Sequence, residues 1–411
     1  MPSTPPPSPA ALSSISALRP EQRDAASVVL GRAGALMAAL REDQDAADAR
    51  GTYSPQIHAE MIAAGMYDVT TPTAFGGMQL PLSVLAATIV EVATGNPGSG
   101  WCFALAAQHT TTVAAHWPMA VQEEVFTTGP FLAPHQFARP GDVRAVEGGY
   151  LVDGVYPFCS GAPYSTHILI TAAVRDSDER VTILAPRADY EILDDWRGAM
   201  GMKASGSNAV RFDGVFVDRA HAIRGIGEDE LDVVPSGAIA HGDPLYLGRL
   251  SAYHPTGLAA VAVGTARAAL EEFEAMLRPA SSRNAAGTPR AADPLFQQTL
   301  GRATADADAA EALVYSAADA YGAAARRQFA AGDALTSAEL ARIAGLATSA
   351  MQLCVRSVEA VFEHVGTMRI GDGSRMQRYF RDISMLRTHG RYHPAVVAVE
   401  RGQAVLEASG S

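Results

Sequence analysis

Residues 148–175 read GGYLVDGVYPFCSGAPYSTHILITAAVR, short β-branched and aromatic runs broken at Gly148-Gly149, Asp153-Gly154 and Ser160-Gly161. Such side chains suit a pleated, half-buried backbone, and Gly, Asp and Ser supply the turns between strands. RVTILAPR (180–187) and AVRFDGVFVD (209–218) repeat the pattern. Residues 130–230 are therefore read as a mostly antiparallel β domain.

Outward from this region the period changes. In SVVLGRAGALMAALRED (27–43), apolar residues recur every three or four positions, as on one face of a helix. Ser54-Pro55 marks another helix start, because Ser caps free N–H groups and Pro suits the first turn. TPTAFGGMQLP (71–81) breaks the pattern. The apolar helices LSVLAATIVEVATG (82–95) and SGWCFALAAQHTTTVAAHW (99–117) follow. Residues 18–129 thus form an N-terminal helical domain. After about residue 245 an Ala-rich helical pattern runs to the end, interrupted by a predicted flexible connection at 279–294. Residues 231–411 are read as a C-terminal helical bundle. The proline-rich residues 1–17 are read as a disordered arm without the basic and apolar regions of a secretory signal.

Helices, then strands, then helices imply an α+β fold, mainly α, without alternating βαβ units. No GxGxxG follows a strand and no GxxxxGK[ST] occurs, so nucleotide-binding readings of the Rossmann or P-loop kind lack their signature. The 411 residues carry 32 Lys+Arg against 44 Asp+Glu, a net charge of −12. That balance disfavours nucleic acid as a partner. Apolar residues make up 48% and charged residues 18%, enough for a large core and unlike a disordered chain. No stretch reaches the ~18–20 apolar residues of a membrane span. The cysteines Cys102, Cys159 and Cys354 are far apart and odd in number, which fits a reducing compartment. A cytoplasmic location is expected.

Four segments resemble the acyl-CoA dehydrogenase superfamily, in its order and spacing, over about residues 50–400. They are MIAAGMYDVTTPTAFGGMQLPLSVLAATIVEVATGNPGSGW (61–101), the strand region ending in HILI, MGMKASGSNAVRFDGVFVD (200–218) and GTMRIGDGSRMQRYFRDISML (366–386). The resemblance implies N-terminal helices, a central antiparallel β domain and a C-terminal four-helix bundle. Two chemistries share that fold. The dehydrogenases use a Glu about eight residues after the Arg-Asp pair, but Arg381-Asp382 leads here to Gly390, with His389 beside it. Gly cannot abstract a proton.

The sequence is also similar to the two-component flavin monooxygenases, the p-hydroxyphenylacetate 3-hydroxylase oxygenase component among them. GSGWCFALAAQH (98–109), YPFCSG (156–161) and RYFRDISMLRTH (378–389) carry that similarity. It implies reduced FMN or FAD supplied by a separate NAD(P)H:flavin reductase, O₂, a flavin C4a-hydroperoxide, and hydroxylation of a small, aromatic substrate. The long apolar C-terminal helices suggest burial between subunits, in a homotetramer or a dimer. An FAD-dependent acyl-CoA dehydrogenase and a non-catalytic relative are the alternatives, and N- or S-oxygenation is open.

On this resemblance the catalytic candidates are Ser160, His109 and His389. The hydroxyl is a hydrogen-bond partner for the flavin, and either imidazole is a base or donor. Cofactor candidates are Trp101, Phe158, Ser160, Gly161, Lys203, Ser205 and Arg378, with Ser207 and Asn208 in the same loop as Ser205. Strand alternation puts Phe158 and Ser160 on one face. Substrate candidates are Trp101, His109, Arg249, Tyr253 and His389. His389 and His393 lie four apart, but no HExxH or third ligand accompanies them, so no metal is expected.

Overall fold

The computed structural model describes residues 9–137, 143–224, 231–278, 289–390 and 393–410. Seven helices come first: α1 (Pro9–Ser16), α2 (Pro20–Glu42), α3 (Gln44–Arg50), α4 (Pro55–Ala63), α5 (Leu82–Gly95), α6 (Pro97–His116) and α7 (Met119–Thr127). The strands are β1 (His135–Phe137), β2 (Val143–Val146), β3 (Gly149–Cys159), β4 (His167–Ala173), β5 (Arg180–Pro186), β6 (Glu191–Ile192), β7 (Asn208–Asp218) and β8 (Ala222–Arg224). Helices α8 (Ser236–His241), α9 (Leu250–Leu277), α10 (Pro294–Ala331), α11 (Ser337–Phe362), α12 (Arg375–Leu386) and α13 (Pro394–Gly410) complete the chain.

The predicted cap at Ser54 forms, its Oγ accepting from the Ile57 N–H with Pro55 in the first turn. Asn96, ahead of Pro97, caps α6 and starts it two residues before the sequence reading. The reading of residues 1–17 as an arm needs correction at residues 9–16. Pro9 opens α1, Ala11 is buried, and Ser14 Oγ donates to Asp319 on α10 at 2.8 Å. Proline at the first helical turn loses no hydrogen bond, which is why a proline-rich run can start a helix. Residues 1–8, and most of the predicted flexible connection (279–288), lie outside the described residues.

Two four-stranded sheets form the β layer, in the orders β1-β4-β5-β8 and β2-β3-β7-β6. All pairings are antiparallel except β1 with β4. Between the sheets lies a core of Val152, Tyr156, Ile168, Ile170, Ile183, Val210 and Phe212. The helices share a second core that runs from α2 to α12. Helix α9 is packed by α5, α6, α10 and α11, so it is apolar nearly all round. Its apolar surface, read from sequence as burial between subunits, is thus already covered within the chain.

Candidate active site

The site forms where α6, the β3 turn, the loop before β7 and the end of α12 converge. β3 does not keep strand alternation to its end. Its register against β7 shifts between Tyr156 and Cys159, and Phe158 takes φ +62°, a left-handed conformation uncommon for a bulky residue. The side chains of Phe158 and Ser160 therefore do not share a face, which corrects the sequence expectation. Phe158 is 65% exposed and packs edge-on against Trp196 at 6.1 Å. Ser160 turns inward and is 8% exposed.

Ser160 Oγ accepts from Trp101 Nε1 at 2.8 Å and pairs with Ser207 Oγ at 2.7 Å. Ser207 pairs in turn with Ser205 Oγ at 2.6 Å. Gly161, at φ +82°, turns the chain there and donates its N–H to the Ser205 carbonyl at 2.9 Å. Further contacts hold the 200–207 loop. Asp382 accepts from the Met202 N–H at 2.6 Å, Arg381 donates to the Met200 carbonyl at 2.6 Å, Trp196 Nε1 donates to the Met202 carbonyl at 3.2 Å, and the Cys102 thiol donates to the Ser205 carbonyl at 2.7 Å. Gly201 permits this docking, because a Cβ there would lie 2.3 Å from the Arg381 carbonyl oxygen. Lys203 sits half-buried in the loop; it is the chain's only lysine and makes no ion pair among the described residues.

A narrow cleft with a free volume of about 10 Å³ runs along α6 from Ser160 and Gly161 past Cys102 and Ala106 to Ala133 and Pro134. At its far end stand the histidines. His109 Nδ1 donates to the Ala133 carbonyl at 2.7 Å, and its Nε2 lies 3.0 Å from His254 Nε2. The His135 ring meets the His109 ring edge-on at 5.3 Å, and His135 Nε2 contacts Thr171 Oγ1 at 2.8 Å. His389, exposed beyond α12, closes the circuit with its ring 5.8 Å from that of Trp101. Ser160, Trp101, His389, His254 and His109 thus ring one region.

Desolvation by burial lowers the pKa of all four histidines, that of His109 to about 4. No carboxylate contributes to any of these shifts. His116, buried beside Arg249, is likewise held at about 4. The folded-state values lie below 6.5, so the stability they contribute is complete above pH 6.5 and is lost as pH falls toward 4. At roughly 1.4 kcal/mol per pH unit, each of the two fully titrated histidines costs about 3 kcal/mol. Calorimetric unfolding temperatures are expected to drop steadily below pH 6.5 and to stay level from 7 to 8.

Three sequence candidates are not brought to this region. Arg378 donates to Asp48, Gln44 and Asp45, tying α12 to α3, so all its nitrogens are engaged within the chain. Arg249 is buried and donates to the Leu231 and Val233 carbonyls. Tyr253 is fully buried, with its hydroxyl on the Leu245 carbonyl at 3.3 Å. His254, His135 and Ser207 complete the site without having stood among the principal candidates. Among the described residues no group of three His, Cys, Asp or Glu side chains is placed to hold a metal ion.

Residues 256–394 match the acyl-CoA dehydrogenase C-terminal domain. Over 382 residues the chain is 28% identical to a pigment production hydroxylase of Rhodococcus sp. (strain ATCC 21145), with 88% of this chain and 92% of that protein covered. It is 25% identical to the p-hydroxyphenylacetate 3-hydroxylase oxygenase component of Acinetobacter baumannii, over 79% of this chain and 76% of that one. The solved structure of XiaF from Streptomyces sp., in complex with FADH2 and glycerol, superposes with a TM-score of 0.84 at 21% identity, covering 94% of this chain and 97% of that one. The C-terminal third of the chain thus matches the acyl-CoA dehydrogenase C-terminal domain, and most of its length is similar to flavin-dependent hydroxylases and the oxygenase components of two-component systems.

Proposed function

We infer that the protein is the oxygenase component of a two-component system, a reduced-flavin-dependent monooxygenase that hydroxylates a small aromatic substrate. The observation that favours this over dehydrogenation is the character of the site. It offers hydroxyls and neutral imidazoles, and no carboxylate stands among the groups that perturb its histidines. Position 390, where the dehydrogenase pattern calls for Glu, is an exposed Gly.

The residues fit a flavin. Ser160 spends one lone pair on Trp101 and, when it donates to Ser207, keeps another for a ring N–H. Phe158 and Met200, 65% and 55% exposed, offer apolar surface beside it for a flat ring. Lys203 and Ser205 are the proposed partners of the ribityl chain or phosphate. Bound reduced flavin would supply the electrons that activate O₂. Ser160 holds a proton at a fixed place, its hydroxyl anchored by Trp101 and Ser207. The apolar walls at Cys102, Ala106, Leu132 and Pro134 limit the water that can reach that hydroxyl. His254 offers a hydrogen-bond acceptor to the substrate's polar group, with His109 and His389 as the imidazoles that flank it. Arg249 and Tyr253 act by anchoring the start of α9 rather than by touching substrate.

We further propose a separate NAD(P)H:flavin reductase as partner, a homotetrameric assembly and a cytoplasmic location. Among the described residues no helix is long and apolar enough to cross a membrane. The test couples the purified chain to a flavin reductase, NADH, flavin and a set of simple phenols under ¹⁸O₂. One labelled oxygen in the product is expected. A tightly bound yellow cofactor bleached anaerobically by an acyl-CoA would overturn the reading in favour of the dehydrogenase.

A further inference from the structure

We propose that His254 Nδ1 is the acceptor for the substrate's phenolic O–H, with His109 as the positioning residue that fixes the His254 tautomer. The proposal rests on the oxygenase reading and extends it to a residue outside the sequence candidates.

Hydrogen-bond direction carries the argument. A carbonyl oxygen can only accept, so the 2.7 Å contact to Ala133 places the His109 proton on Nδ1. His109 is neutral at pH 7, because burial holds its pKa at about 4. Its Nε2 is therefore a bare lone pair. The 3.0 Å contact between the two Nε2 atoms then needs a proton from His254. A neutral His254 with its proton on Nε2 has a bare Nδ1, which takes no hydrogen bond from any described residue.

The docking of α6 on α9 fixes this pair. Gln108 Nε2 donates to the Tyr253 carbonyl at 2.9 Å, next door on both helices. Gly257 makes room, since a Cβ there would lie 1.8 Å from Gln108 Nε2. The titratable groups around His254 are His109 on α6, His135 on β1 and His389 beyond α12. Each would oppose a second positive charge, so His254 is kept as an acceptor through the neutral pH range.

A weak base suffices for the step. As oxygen bonds to the ring, electron density leaves the phenolic oxygen and its O–H becomes strongly acidic. The O–H bond breaks, its electron pair forms the ring carbonyl, and the proton bonds to His254 Nδ1. The imidazolium shares its charge with His109 across the 3.0 Å bond. When the displaced ring hydrogen leaves as a proton to water, His254 returns its proton to the carbonyl oxygen and the ring is aromatic again. Reduced flavin and O₂ are the reductant and oxidant.

The test compares 4-ethylphenol with 4-ethylanisole by titration calorimetry on the full chain with saturating FAD. The wild type is expected to favour the phenol about tenfold, the factor that one neutral hydrogen bond supplies. His254→Phe should abolish the preference, and His254→Asn should restore part of it through its amide oxygen. His109→Asn, which keeps a donor for Ala133 but has no atom at the Nε2 position that accepts from His254, should reduce it. ¹⁵N NMR of histidine-labelled wild type should show His254 protonated at Nε2, a readout independent of any variant's folding. Equal binding of the two ligands, a preference that survives His254→Phe, or a proton on His254 Nδ1 would each overturn the proposal and leave the oxygenase reading intact. Failure of both ligands to bind would overturn the phenol-hydroxylase reading itself, and the proposal with it.

Discussion

Ser160→Ala is expected to uncouple the enzyme. Reduced flavin would still be consumed by O₂, but product formed per flavin oxidised should fall by roughly 10²-fold, the order of effect seen when one aligned hydrogen-bond partner is removed from a reacting centre. Hydrogen peroxide should rise to match. The geometry sets this expectation. Ser160 Oγ contacts both Trp101 and Ser207, at a turn where Gly161 takes a left-handed conformation. The substitution also strands the Trp101 N–H, which costs about 1–3 kcal/mol of stability where the group is buried. Two companion variants separate the roles. Trp101→Phe removes the N–H while keeping a ring, and should lower stability more than coupling. Ser160→Thr keeps the hydroxyl and should retain most of the coupling. The ratio of hydroxylated product to peroxide, measured with a fixed reductase supply, decides the matter. An unchanged ratio in Ser160→Ala would take this hydroxyl out of the chemistry.

The contrast between Ser160 and Phe158 shows what the sequence could and could not convey. Both lie in a strand whose apolar rhythm is plain, and the long strands β3, β4, β5 and β7 follow the runs that announced them. Strands of two to four residues, such as β1, β2, β6 and β8, hold too few side chains for a period to emerge. The turn of Phe158 away from Ser160 depends on a bulge, and a bulge is set by what the partner strand and neighbours allow. Gln136 on β1 donates to the Pro157 carbonyl at that point, a contact between residues 21 apart that no local pattern encodes.

His254 carries no local signal for a related reason. Tyr253 and Arg249 are the larger, more distinctive residues at the start of α9. A helix turns about 100° per residue, so Tyr253 points into the core while its neighbour reaches His109. Only the pairing of α6 with α9 gives His254 a meaning. Arg378 shows the same limit from the other side. Its segment made it a cofactor candidate, while its contacts within the chain are with Asp45 and Asp48, 333 and 330 residues away in sequence.

The same α12 segment supports the last prediction, that Asp382→Asn stabilises the protein at alkaline pH. Asp382 is 3% exposed, and burial raises its pKa from 3.8 to about 7, with the backbone hydrogen bond from Met202 and the charges of Arg381 and Arg378 pulling the other way. The sign follows from the raised value. The protonated acid is favoured in the folded state, so its contribution is complete below pH 3.8 and erodes as pH rises to about 7. Counted at roughly 1.4 kcal/mol per pH unit, the ionised group costs on the order of 4 kcal/mol at pH 8, as an upper bound. Asn keeps an oxygen for the Met202 N–H and carries no charge to desolvate. Chemical denaturation at pH 8 should therefore show a more stable variant, with the gain shrinking toward pH 5. Asp382→Ala removes the acceptor as well, frees the 200–207 loop from α12, and should lose both stability and flavin affinity. A gain in Asp382→Asn that is equal at pH 5 and pH 8 would mean that packing, and not the buried charge, sets the cost at this position.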